Sequence, residues 1–230
     1  MPAELTRLDQ LPPPAAVVFD LDGTLVDTVE GRIEAWLLAL DEAGLPTTRD
    51  RLAPLIGVDG KRLAREIAAL AGQPLDDDRV EAIDRRSGEI FEGLNHSPRP
   101  LPGVRGVVAA IEARGLAWSI ATSSRNDQIA TSVEALGLDA EPTIVDASHV
   151  EHAKPEPDLL LRAAEQLGVE PARCWYIGDS TWDMVAAVAA GMVPIGVTAG
   201  AAVDASGLRA AGAAVVVETL AEIAAAIETH

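Results

Sequence analysis

Apolar positions along the chain follow two rhythms. Six short runs of apolar, largely β-branched residues bounded by turn residues predict strands at Ala16–Leu21, Leu116–Ala121, Pro142–Val145, Arg173–Ile177, Val193–Val197 and Ala213–Val217. Between the later runs the spacing changes to threes and fours. Val104, Val107, Val108 and Ile111 form one such set, Ile129, Val133 and Leu136 a second, and Leu160, Ala164 and Leu167 a third. Each predicts an amphipathic helix. Strands alternating with helices imply an α/β fold, a doubly wound parallel sheet covered on both faces. Strand centres recur about every 20 to 30 residues, the size of a βαβ unit.

The first interval departs from this rhythm. Roughly a hundred residues separate the first two strands, several times an ordinary crossover. The interval holds helical patterns instead: Ile33, Trp36, Leu37 and Leu40; Leu63, Ile67 and Leu70; Val80, Ile83, Ile90 and Leu94. Gly44-Leu45-Pro46, Gly72-Gln73-Pro74 and Ser97-Pro98-Arg99-Pro100 punctuate them. Residues 27–98 therefore read as a helical domain inserted into an α/β domain built from residues 1–26 and 99–230.

Composition narrows the function. With 230 residues, 48% hydrophobic and 23% charged, the chain is globular and long enough for a main domain and a smaller one. Acidic residues number 36 against 18 basic ones, a net charge of -18. That field repels nucleic-acid backbones and anionic lipid, so neither is expected as a partner. An anionic substrate would need a metal ion or a few cations to reverse the field locally. Cys174 is the single cysteine, which excludes an intrachain disulfide. Met1–Pro14 carries acids and a Pro-Pro-Pro run rather than a basic-then-apolar leader. Met184–Val203 is uncharged but broken by Gly191, Pro194 and Gly196, so it reads as helix, turn and strand rather than a membrane span. A cytoplasmic protein is expected, with oligomeric state open.

In an open parallel sheet, ligands bind beyond the carboxyl ends of the strands. Here the first strand ends in Asp20-Leu21-Asp22-Gly23-Thr24 and the second in Thr122-Ser123-Ser124. Lys154-Pro155-Glu156-Pro157 follows the third, and Gly178-Asp179-Ser180-Thr181-Trp182-Asp183 the fourth. Asp20, Asp22, Asp179 and Asp183 would converge with one lysine and several hydroxyls at one edge. Clustered carboxylates repel, and Mg²⁺ removes that objection, since it takes carboxylate and phosphate oxygens. Thr122 and Ser123 precede a helix starting near Arg125, whose free N–H groups suit a phosphate, and can cap that helix as well. Lys154 could offset charge on a transferring group. This is the parts list of phosphoryl transfer to a carboxylate.

Blander readings compete residue by residue. A lone Asp-x-Asp is more often a solvated strand end, and an EF-hand would place its glycine at the sixth position where Gly23 is at the fourth. A lone lysine is more often surface than site. Gly57-Val58-Asp59-Gly60-Lys61-Arg62 lacks Walker spacing and reads first as a turn and helix start. His149 and His152, with no cysteine nearby, read as solvated. Trp36, Trp118 and Trp175 read as core, Trp182 as packing beside the site.

Four segments in order outweigh those readings. Asp20-Leu21-Asp22-Gly23-Thr24-Leu25-Val26-Asp27-Thr28, Thr122, Lys154, and Gly178-Asp179-Ser180 with Asp183 resemble the four motifs of the haloacid dehalogenase superfamily. The insertion after the first motif resembles the small helical cap of its phosphoglycolate phosphatases and β-phosphoglucomutases. The resemblance implies a Mg²⁺-dependent phosphatase acting on a small phosphorylated metabolite. Asp20 would be the nucleophile that forms an aspartyl-phosphate, and Asp22 the general acid and base. Thr122, Ser123, Lys154 and the Gly23 backbone would hold phosphate. Asp20, Asp179 and the backbone carbonyl of Asp22 would bind the metal, with Asp183 ligating through water or orienting Lys154. Arg32, Lys61, Arg62, Arg125 and Asn126 are the candidates for specificity.

Ser124-Arg125-Asn126 also resembles the Ser-Lys-Asn segment of the mutases, making a sugar phosphomutase the alternative. Where those enzymes carry a cap histidine, lysine and arginine, this chain has Arg32, Ile56 and Gly60. Dehalogenases need no metal and lack the second aspartate, present here as Asp22. A non-catalytic binder of phosphorylated ligands would be expected to have lost Asp20 or Asp179, and neither is missing.

Overall fold

The computed structural model describes residues 7–230. Strand β1 (Ala16–Phe19) is followed by α1 (Val29–Glu42), α2 (Arg49–Leu52), α3 (Gly60–Leu70) and α4 (Asp77–Leu94) before any second strand. Then come α5 (Val104–Ala113), β2 (Ala117–Ala121), α6 (Asn126–Ala135), β3 (Thr143–Val145), α7 (Asp158–Leu167) and β4 (Cys174–Gly178). The chain closes with α8 (Thr181–Ala190), β5 (Val193–Val197), α9 (Ala205–Ala210), β6 (Val215–Val217) and α10 (Leu220–Thr229). The sheet is parallel throughout, in the order β3-β2-β1-β4-β5-β6.

The register explains why β1 has no polar position. Ala16 pairs with both Ala117 and Cys174, and Phe19 with both Ile120 and Ile177, so β1 is central. Side chains alternate across a sheet. Val17 and Phe19 enter a core with α5 and α10, while Ala16 and Val18 enter the opposite core with α7 and α8. Chain order reverses around β1, with β2 on one side and β4 on the other. The crevice beyond its carboxyl end is the topological switch point where such sheets bind ligands.

The four helices between β1 and β2 have a core of their own, in which Ile33, Trp36 and Leu40 of α1 meet Leu63 and Ile67 of α3 and Val80 and Ile83 of α4. Asp59 and Asp76 start α3 and α4 by accepting backbone N–H bonds from Arg62 (2.9 Å) and Arg79 (2.8 Å). Two links join this unit to the sheet domain, and they pair with each other. Asp27 N donates to Arg99 O (2.9 Å), Leu101 N to Leu25 O (2.9 Å), and Val26 bridges Pro100 antiparallel.

Several sequence expectations shift. The first strand ends at Phe19, two residues early, because the chain turns at Leu21 to bring Asp22 and Gly23 round. Leu70 and Leu94, read as apolar stripe, close their helices facing solvent at 66% and 45% exposure. The buried face of α4 runs instead through Ser87, Gly88 and Phe91. A Cβ at Gly88 would sit 2.1 Å from Gln128 Nε2 of α6, so that side chain would have to move aside for any larger residue. No helix among the described residues is long and apolar enough to cross a membrane.

Candidate active site

Asp20 leaves β1 with its backbone N–H still bonded to Ile177 O (2.8 Å), so the ladder with β4 aims its carboxylate beyond the sheet. The turn that follows closes through Leu25 and Val26 N–H bonds to Leu21 O, both 3.0 Å. Gly23 sits at φ +83°, and a Cβ there would lie 2.3 Å from Asp179 Oδ2. Only glycine lets this turn close over Asp179.

The fourth segment is organised by the start of α8. Ser180 caps the helix by accepting from Asp183 N (3.1 Å), and Asp183 Oδ2 accepts in return from Ser180 N (3.0 Å) and Oγ (2.6 Å). That reciprocal cap leaves Asp183 Oδ1 free to face inward, where Lys154 Nζ and Tyr176 OH both donate to it at 2.8 Å. Lys154 is fully buried and also donates to Asp20 Oδ1 and, at 3.3 Å, to Tyr176 OH. Its three donors are thereby filled. Asp179 receives one bond, from Thr24 Oγ1 (3.2 Å).

Oxygens of Asp20, Asp179 and Asp183 lie within 4.8 Å of one another. Burial, with Asp183 and Asp20 beside it, pushes the Asp179 carboxyl well above the ordinary range. Burial likewise pushes Asp20 up to about 7, against the pull of Lys154. Burial opposes the charge of Lys154, but Asp183 and Asp20 outweigh it and hold the ammonium protonated. Three buried carboxylates facing one lysine are an incomplete charge set, and an all-oxygen donor group of this kind is what Mg²⁺ takes. The residues present fit that ion.

Asp22 points elsewhere. Its carboxylate accepts from Thr28 Oγ1 (2.7 Å), Ser124 Oγ (2.7 Å) and Arg32 Nη2 (2.9 Å), and is not one of the three clustered carboxylates. As a metal ligand it has only its backbone to offer. Burial raises its pKa, but Arg32 and the two hydroxyls outweigh that and the net position is below the ordinary range. Arg32 comes from α1, with its guanidinium 3.6 Å from the Phe91 ring centroid. A helix of the inserted unit thus reaches a carboxylate of the sheet domain.

Between the two units lies a cavity of about 580 Å³. Asp20, Asp22, Thr122, Ser123 and Lys154 line its sheet side, and Arg32, Lys61, Arg62 and Arg125 also border it. Asn126 does not. It is exposed at the first turn of α6, outside the lining of this cavity. The capping expectation for Thr122 and Ser123 also fails. Arg125 is the N-cap of α6 without a side-chain bond, and Thr122 Oγ1 instead accepts from Ser124 N (3.1 Å). Ser123 Oγ is buried without a partner. The Gly57–Arg62 loop is seated on the lysine, with Asp59 N donating to Lys154 O (2.9 Å). Trp182 packs against the inserted unit, its Nε1 donating to Pro54 O (2.8 Å).

Sequence reading missed Tyr176, Glu81 and Asp84. A tyrosine inside a strand reads as core, and nothing local shows its hydroxyl bonding Asp183. Glu81 and Asp84 lie on a highly charged helix, where a carboxylate is ordinarily solvated. They hold Arg125 Nη2 at 2.8 and 2.5 Å.

Residues 17–197 match the family model described as haloacid dehalogenase-like hydrolase. The chain belongs to that family. It is 35% identical to a protein of Dickeya dadantii named "Probable phosphatase IndB", over 91% of this chain and 92% of that one. It is 32% identical to the phosphoglycolate phosphatase of Escherichia coli K12, over 80% and 81%. Among solved structures, a hydrolase from Pseudomonas syringae superposes with a TM-score of 0.86 at 33% identity, covering 90% of this chain and 95% of that one. Within its family the chain therefore groups with the phosphatases.

Proposed function

We propose that the protein is a Mg²⁺-dependent phosphatase that hydrolyses a small phosphate monoester through an aspartyl-phosphate on Asp20. The observation that carries this is the buried Asp20 carboxylate, held by Lys154 beside Asp179 and Asp183 at the floor of the cavity. Asp20 attacks phosphorus, forming the acyl phosphate as the bond to the leaving oxygen breaks. Thr122, Ser123 and Lys154 border the space where the transferring oxygens sit. Both oxygens of Asp183 are engaged by Ser180, Lys154 and Tyr176, so it orients the lysine. Asp20 and Asp179, with the Asp22 carbonyl, would hold Mg²⁺, which when bound neutralises these carboxylates and the phosphoryl oxygens.

Asp22 supplies the proton steps. Paired with Arg32 it is ionised, the form that takes a proton from the attacking water. Separated from Arg32 it loses the interaction that depresses its pKa and can carry the proton needed by the leaving oxygen.

The test is turnover of p-nitrophenyl phosphate. Activity should require Mg²⁺, vanish in excess EDTA, and vanish in Asp20→Asn. Undiminished rates in EDTA remove the metal role, and an active Asp20→Asn removes the nucleophile. The mutase alternative is disfavoured because Arg125 is already held by Glu81 and Asp84, while Ile56 and Gly60 offer no charge. Build-up of glucose 6-phosphate from β-glucose 1-phosphate without release of inorganic phosphate would reverse that preference.

A further inference from the structure

We infer that the substrate carries one anionic group, its phosphate, on an uncharged hydroxyl-bearing body, and that Glu81 and Asp84 enforce this by occupying the cations a second anion would need. This rests on the phosphatase reading and concerns the other end of the same cavity. A space of about 580 Å³ holds much more than a phosphate. Its walls beyond the catalytic edge carry several cations, and such a pocket at first sight suits a carboxylate or a second phosphate.

Each of those cations is already matched. Arg125 Nη2 reaches Glu81 Oε1 and Asp84 Oδ2, and Lys61 Nζ reaches the other oxygen of Glu81 at 2.8 Å. Glu81 is thus gripped on both oxygens, and those hydrogen bonds, Lys61 first and Arg125 second, draw its carboxyl down to about 2. Asp84 is largely buried, so dislodging Arg125 from it would leave a carboxylate out of water with no cation. Arg32 is given to Asp22. Arg62 and Arg65, nearly half exposed, are paired with Glu66 and Asp77. Among the described residues, Asp59, Glu151 and Glu156 border the same cavity and are in no ion pair, so the lining leans negative.

What remains unpartnered is one hydroxyl, one guanidinium N–H and apolar surface. Ser123 Oγ and Arg32 Nε are buried without hydrogen-bond partners and can meet hydroxyl oxygens. Trp36, Ile56 and Val58 offer an apolar wall to a carbon skeleton. A second anion taking Arg125 would break its pair with the largely buried Asp84, whereas a polyol body would break none.

The experiment measures how each ester competes with p-nitrophenyl phosphate turnover in Mg²⁺. Glycerol 1-phosphate and glucose 6-phosphate represent uncharged bodies, and phosphoglycolate and fructose 1,6-bisphosphate the anionic ones. In the wild type, the uncharged-body esters should compete at concentrations at least tenfold lower. Glu81→Gln, on a partly exposed helix face, and the double variant Glu81→Gln/Asp84→Asn should shrink that ratio tenfold or more by improving the anionic competitors. Phosphoglycolate or the bisphosphate competing as well as the uncharged esters in the wild type would overturn the inference. An unmoved ratio in Glu81→Gln would do the same even if the double variant does not fold. Loss of all p-nitrophenyl phosphate turnover in the wild type would instead strike the phosphatase reading, and this inference with it.

Discussion

Without metal, the protein should lose stability as pH rises from 5 to 7, the reverse of ordinary recovery from acid. Asp20 has a folded-state pKa near 7 against an ordinary 3.8, so across that interval the folded state binds a proton the unfolded state has released. Stability from such a group is complete below 3.8 and is lost as pH climbs to about 7. Two pH units at about 1.4 kcal/mol each make the loss on the order of 3 kcal/mol from Asp20 alone. Asp179 is shifted in the same direction and adds to it. Asp22 and Glu81 are shifted down and stay ionised in both states above pH 5, so they contribute no slope. For a chain of this length, 3 kcal/mol corresponds to a fall in Tm of roughly 6–12 °C. Thermal unfolding in EDTA at pH 5, 6 and 7 measures it, with Asp20→Asn as the control that makes the slope shallower. Mg²⁺ would bind the ionised carboxylates of the folded state, so its addition should flatten or invert the trend. A metal-free Tm that is level or rising over this range, or an Asp20→Asn protein with the wild-type slope, would refute the reasoning.

Three further outcomes follow from the same geometry. Tyr176→Phe deletes one donor to Asp183 and a contact of Lys154, and should cost about 1 kcal/mol in urea unfolding while lowering kcat more than it raises KM. Gly23→Ala forces a Cβ into a left-handed position and against Asp179, and should destabilise by at least ~2 kcal/mol and weaken Mg²⁺ binding by calorimetry. Crystals with and without a phosphate analogue should differ mainly by rotation of residues 27–98 about the Val26 and Pro100 bridge, and identical open cavities in both would count against a moving cap.

How far the chain could be read beforehand depended on the range of each interaction. The strands were legible because β1 is buried on both faces and can carry only apolar residues. The helices between β1 and β2 were legible from the missing strand patterns between residues 21 and 116. Strand ends and helix faces were less so. Phe91 is buried and Leu94 is not because Phe91 packs on α1 beside Gly31 and Arg32, a contact that spacing along one helix does not encode. The site divides the same way. Asp20 and Asp179 sit at strand ends, where topology itself delivers them. The bonds of Arg125 to Glu81 and Asp84 cross more than forty positions and two units, and charge patterning along α4 shows only a solvated helix.

The cap of α8 ties the order of the buried Lys154 to the first turn of a helix. Asp183 commits one oxygen to starting α8 and the other to aiming Lys154. Fraying of that turn would take away one of the three acceptors that hold the ammonium, so the lifetime of the fully assembled site is bounded by the opening rate of one hydrogen-bonded ring. It also leaves position 183 almost no freedom to drift. Glutamate could begin the helix, as it commonly does at this position, but would carry its inward oxygen a methylene away from where Lys154 meets it. Asparagine could keep its oxygen on Ser180 only by aiming an amide donor at two other donors. Every such replacement is penalised twice, once in folding and once in chemistry, and a single carboxylate is what answers both.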